Sequence, residues 1–128
     1  MTKKVRIADM PEFFLSGDLK TVARLADNPL ISKSIDSYLG VLSSNSIPVS
    51  RIYLFGSYAK GTNRKDSDID LAVFWDTEEV DAFDDGLRLL RLTKSVDLRI
   101  EPHAFSRRDL ENPDPFVKEI LETGERII

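Results

Sequence analysis

Apolar positions along the chain first follow a helical spacing and then switch to short runs. Ile31, Ile35, Tyr38, Leu39 and Leu42 fall on one side of a helix. Asn28 before Pro29 marks its start, with a capping side chain and a proline at the first helical position, and the Ser43–Ser46 cluster ends it. After Pro48, Arg51-Ile52-Tyr53-Leu54-Phe55 is apolar, β-prone and stopped by Gly56, which predicts a buried strand. Asp68-Ile69-Asp70-Leu71-Ala72-Val73-Phe74-Trp75 predicts a second. The stretch between them holds a tight turn with room for about one helical turn, too short for a parallel crossover, so the two strands should be antiparallel neighbours.

Val80, Phe83, Leu87 and Leu90 then predict a helix packed by one face, with Glu78, Glu79, Asp81, Asp84 and Asp85 in its first turn or on its outer side. Val96-Asp97-Leu98-Arg99-Ile100 alternates like a third strand. Pro113 and Pro115 introduce a last helix carrying Phe116, Val117, Ile120 and Leu121, closed by Gly124. Residues 1–28 pattern weakly: Val5 and Ile7 suit an edge strand, and Leu19, Val22, Ala23 and Leu25 a helix behind Asp18. They are read as an N-terminal extension to a single domain over 29–128, with an α+β fold: a small mixed sheet with helices packed mainly on one side.

Composition narrows the function. A chain of 128 residues, 41% apolar, suits one domain with a real core. The absence of cysteine removes disulfides, a thiolate nucleophile and cysteine-ligated metal. The one histidine, His103, makes no multi-histidine site and reads as a surface or strand-end residue. No apolar run approaches the ~20 residues of a membrane span and the start has no signal-peptide core, so a cytoplasmic protein is expected. With 18 basic against 22 acidic residues, net −4, nonspecific nucleic-acid binding is disfavoured. The distribution says more. Residues 56–65 carry Lys60, Arg64 and Lys65 with no acid, while residues 66–85 carry nine acids and no Lys or Arg.

Asp68 and Asp70, two apart on a strand, point to one face about 7 Å apart at Cα. Two carboxylates at the mouth of an apolar strand either share a proton or are neutralised by a divalent cation. Oxygen ligands without histidine or cysteine select Mg2+, with Mn2+ as the alternative ion. Asp97 on the third strand reaches the same face and completes a set suited to two-ion chemistry, or else forms only the polar face of an edge strand. The predicted pairing sets Gly56-Ser57 beside these acids, where a glycine turn and the following amides suit phosphate oxygens. Competing motifs fail. Gly61 is followed by Thr62 and not by a P-loop lysine, and Leu71 stands where a calcium loop needs glycine.

Gly56-Ser57-Tyr58-Ala59-Lys60-Gly61 followed by Ser67-Asp68-Ile69-Asp70-Leu71 resembles the signature of the polymerase-beta-type nucleotidyltransferases. The chain looks most like the small MNT (minimal nucleotidyltransferase) proteins, often antitoxin partners of HEPN-domain proteins. The resemblance covers roughly residues 30–128. It implies a polymerase-beta-like fold and transfer of a nucleoside monophosphate from a nucleoside triphosphate, ATP above all, to a hydroxyl of a HEPN-type partner or a small molecule. Gly56, Ser57, Lys60 and Ser67 would bind the nucleotide, and Asp68, Asp70 and Asp97 would be the catalytic, metal-binding acids. So short a chain favours a partner or a homodimer to complete the acceptor pocket. The other reading is a noncatalytic antitoxin that neutralises a HEPN protein by contact.

Overall fold

The computed structural model describes residues 28–128, the side chain of Leu30 excepted. The strand and helix expected before Asn28 lie outside the described residues. The described residues divide into two compact units, one ending at Ile47 and the other spanning residues 48–128.

In the first unit, helix α1 spans Pro29–Ser44, and the expected face of Ile31, Ile35, Tyr38, Leu39 and Leu42 is buried. Proline opens the helix as expected, but the Asn28 side chain makes no capping hydrogen bond. Proline's preset φ and missing N–H suffice to start the first turn.

The second unit is built on a four-stranded sheet ordered β3-β2-β1-β4, with β1 Val49–Phe55, β2 Ile69–Trp75, β3 Ile100–Phe105 and β4 Glu125–Arg126. β1 and β2 are antiparallel neighbours, as their short connection requires, with Phe55 opposite Asp70. β3 joins β2 in parallel, with Asp70 opposite Glu101 and Ala72 opposite His103. The sheet is therefore mixed. The connection between β1 and β2 folds into one short helix, α2 (Ser57–Lys60), and an exposed loop. Asp68 lies in that loop, just before β2 and not on it.

Side chains alternate across the sheet, so Tyr53, Ala72 and Phe74 share a face. Helix α5 (Pro115–Thr123) covers it with Val117 and Ile120, and Tyr53 meets Phe74 edge-on at 6.0 Å between ring centroids. Asp114 caps α5 by accepting from Val117 N at 2.8 Å, with Pro115 at the first position. Gly124 ends the helix as expected: a Cβ there would lie 2.6 Å from Ile120 O and 3.0 Å from Leu54 O. α4 (Arg107–Glu111) begins with a reciprocal capping box between Ser106 and Asp109.

Two expectations fail in the segment between β2 and β3. Helix α3 spans Asp84–Arg91 and packs against β3, but it buries Leu89, while Phe83 is 76% and Leu90 47% exposed. Asp81 explains the late start, because its Oδ1 accepts from Phe83 N and Asp84 N and so holds the preceding residues as a cap. A turn of 3-10 helix, Leu92–Ser95, prolongs α3. The third strand accordingly starts at Ile100, not Val96. Asp97, expected on the strand, instead folds a turn over 96–99: its Oδ1 accepts from Arg99 N at 2.9 Å, and its carbonyl from Ile100 N at 3.1 Å.

Candidate active site

The end of the sheet where β1 leaves and β2 enters is where the polar chemistry collects. At Gly56 the backbone takes φ 74°, ψ −151°, a conformation essentially reserved for glycine. A Cβ there would also overlap the Asp70 carboxylate. The turn after β1 and the acid on β2 are thus in van der Waals contact, as the antiparallel pairing predicted. Ser57 opens α2, whose single turn is closed by Lys60 N donating to Gly56 O at 3.1 Å and Thr62 N to Ser57 O at 2.9 Å. Ser67 Oγ accepts from Arg64 N at 2.6 Å and pins the loop that delivers Asp68. Lys60 turns toward α5, its Nζ 3.7 Å from Glu119 Oε1, with both groups more than half exposed. A pair so exposed holds neither side chain firmly.

On the face shared with Asp70, the parallel register of β3 sets Glu101 and then His103. One ligand atom from each of Asp70, Glu101 and His103 lies within 4.8 Å of the others. Asp68, although off the strand, still reaches the group, since it is within hydrogen-bonding range of Glu101. The cost of this crowding is visible in the acids themselves. Burial, and then the charge of Asp68, pushes the Asp70 carboxyl above its ordinary range. Glu101 is raised by burial, by its hydrogen bond to Asp68 and by the charges of Asp70 and Asp68. Burial draws His103 the other way, toward the neutral imidazole, with Glu101 opposing.

The expected third acid is elsewhere. Asp97 Oδ1 and Oδ2 accept from Arg99 Nε and an Arg99 terminal nitrogen at 3.1 and 2.8 Å, and another Arg99 nitrogen lies 3.4 Å from Tyr58 Oη. The Asp97–Arg99 fork ties the turn before β3 to α2. Sequence reasoning missed Glu101 and misplaced His103, which sits within β3 and not on an outer surface or strand end. The signal was present: Glu101, His103 and Phe105 alternate with Ile100, Pro102 and Ala104. Pro102 is compatible with a strand here because β3 is at the edge of the sheet and needs no outward N–H donor.

Oxygen donors dominate the cluster, burial and then mutual repulsion raise two of them, and their separation suits one small cation. The residues therefore fit a divalent ion. With Gly56-Ser57 alongside, the arrangement can hold a metal next to a phosphate.

The chain is similar to known proteins. A family profile described as Polymerase beta, Nucleotidyltransferase matches residues 40–128. A Methanocaldococcus jannaschii protein bearing the name protein adenylyltransferase MJ1379 is 35% identical over 74 residues, spanning 58% of this chain and 71% of the relative. A structure from Sulfolobus solfataricus named as a nucleotidyltransferase is 14% identical, with 84% of this chain and 83% of that one covered at a TM-score of 0.50, a likeness of fold alone. A toxin–antitoxin crystal structure with AMP-PNP is 26% identical over 69% of this chain and 67% of its own, at a TM-score of 0.47.

Proposed function

We propose, since the chain belongs to the polymerase-beta-type nucleotidyltransferase family and is an MNT-type nucleotidyltransferase, that it transfers AMP from ATP to a hydroxyl of a protein partner and releases pyrophosphate. The observation that carries the reading is the convergence of Asp68, Asp70 and Glu101 beside the Gly56-Ser57 turn. Asp68, Asp70 and Glu101 would hold Mg2+ or a similar divalent ion, which supplies neutralisation of the triphosphate's charge when bound. The backbone after Gly56, with the Ser57 hydroxyl, offers donors to phosphate oxygens. Lys60 is free to leave its weak pairing with Glu119 for the same anion, and Ser67 serves by fixing the loop that carries Asp68.

In the reaction, the acceptor oxygen forms a bond to the α-phosphorus as the bond from that phosphorus to the β-phosphate oxygen breaks, and pyrophosphate departs. The acceptor's proton passes to a carboxylate oxygen of the Asp70–Glu101 pair, which the parallel register of β2 and β3 sets side by side. Asp97, occupied by Arg99, is a positioning residue here. The relative named as a protein adenylyltransferase supports AMP and a protein acceptor. The resemblance of the bipartite motif to MNT antitoxins supports a HEPN-type partner.

The test uses ATP labelled at the α- or the γ-phosphate, incubated with the protein, magnesium and the product of the neighbouring gene. Label from the α-position alone should appear on the partner, fall by at least about a hundredfold in Asp70→Asn and Glu101→Gln, and survive in Asp97→Asn. Neither label on protein nor released pyrophosphate would refute transfer and leave neutralisation by contact.

A further inference from the structure

We propose that His103 is a direct ligand of the divalent ion held by Asp70 and Glu101, and that its imidazole biases the site toward a transition ion such as manganese over magnesium. This rests on the reading that the carboxylates hold a divalent ion, but it changes the donor set from oxygen alone to oxygen and nitrogen.

Three observations carry it. His103 follows Glu101 by two residues on β3, so both project from one face of the sheet, and the parallel register brings that face alongside Asp70. The donor atoms of Asp70, Glu101 and His103 lie within 4.8 Å of one another. Neighbouring ligands of an octahedral ion with bonds of about 2.1 Å are about 3.0 Å apart and opposite ones about 4.2 Å, so the three groups reach one ion by side-chain rotations that draw them inward. The imidazole is also held in place before any ion arrives, with its ring centroid 5.4 Å from that of Phe55 and 6.5 Å from that of Phe116. A ligand already fixed by packing loses little freedom on coordination.

The chemistry of the donors then decides the ion. Magnesium demands near-ideal octahedral oxygen coordination and keeps several waters, so a fixed nitrogen is a poor ligand for it. Manganese accepts carboxylates and also tolerates imidazole, the combination found in carboxylate–histidine di-manganese sites. Asp68, exposed at the edge of the group, stands outside the set of Asp70, Glu101 and His103.

The test is Mn2+ binding to the full chain without nucleotide. It is followed by loss of the free-ion electron paramagnetic resonance signal and by pulsed detection of 14N coupled to bound manganese. The wild-type protein should show a directly bonded nitrogen. His103→Gln should lose that coupling, weaken Mn2+ binding by about tenfold or more, and let Mg2+ compete more effectively for what remains. Bound Mn2+ with no nitrogen coupling in the wild type would overturn the proposal, whatever the variant does. If the wild type binds neither ion at millimolar concentration, the carboxylate reading itself fails and this inference with it. Asp70→Asn separates the two, since it should abolish Mn2+ binding while leaving His103 in place.

Discussion

Gly56 carries two constraints, and each alone would exclude a side chain. Its φ of 74° with ψ of −151° lies in a region that costs other residues about 1–3 kcal/mol. Its bare Cα also gives the Asp70 carboxylate the space a Cβ would take. Gly56→Ala should therefore destabilise the fold by at least about 1–3 kcal/mol in urea titrations and also weaken divalent-ion binding by displacing Asp70. A variant that lost stability but bound the ion normally would show that the contact with Asp70 does not matter. Asp97 presents the opposite case. Its two oxygens are taken up by Arg99, in a pair only partly exposed. Asp97→Asn keeps one acceptor but loses the charge that holds the fork, so a cost of about 1 kcal/mol is expected, with Mn2+ affinity unchanged. A large loss of affinity in Asp97→Asn, with Glu101→Gln binding normally, would return Asp97 to the role its sequence pattern suggested.

Among the elements, those set by strong local signals were legible. β1, the one-turn α2, the antiparallel entry of β2 and the capped α5 all follow from where glycine, proline and the apolar runs fall. The capping of α5 is itself open to test: Asp114→Ala should lower stability by about 1 kcal/mol through loss of the bond to Val117 N, with activity retained. What could not be read was a competition between side chain and backbone. Asp97 in an alternating sequence looks like the polar face of a strand. It is a turn former because its carboxylate captures the Arg99 N–H two residues on. Asp81 does the same before α3, and the helix begins late enough to leave Phe83 outside. Each displacement moves the frame by a few residues. On β3 that shift exchanges Asp97 for Glu101 at the site and brings in His103, which no local pattern had tied to the acids. The bipartite glycine–serine and Asp-x-Asp signature was legible because its parts are joined by one short turn. The third acid arrives through a parallel pairing from about thirty residues away, which the sequence does not register.

Across the whole molecule, the site trades stability for function, and pH exposes the trade. The Asp70 and Glu101 carboxyls both titrate above their ordinary range, through burial first and through neighbouring carboxylates. A group whose pKa is higher folded than unfolded contributes stability that is fully present below the unfolded-state pKa and is lost as pH rises through the folded-state value. In chelator, the protein should therefore lose stability as pH climbs out of the carboxylate range toward neutral. Asp70→Asn removes one of the charges responsible. It should melt higher than the wild type at pH 7 by about 2–4 °C, with the advantage shrinking as pH falls and the wild-type acids become protonated. A saturating divalent ion should reverse the order. Binding only to the folded protein stabilises it by about 2.7 kcal/mol at a hundredfold excess over Kd, and the variant lacks a ligand to collect that gain. Thermal melts of the two proteins, with chelator and with Mn2+, across pH 4.5 to 7.5 (roughly the span from the ordinary carboxylate range to neutral) would check both halves. Parallel curves in chelator would mean that the clustered acids do not burden the fold, and the argument for a cation from their repulsion would fall.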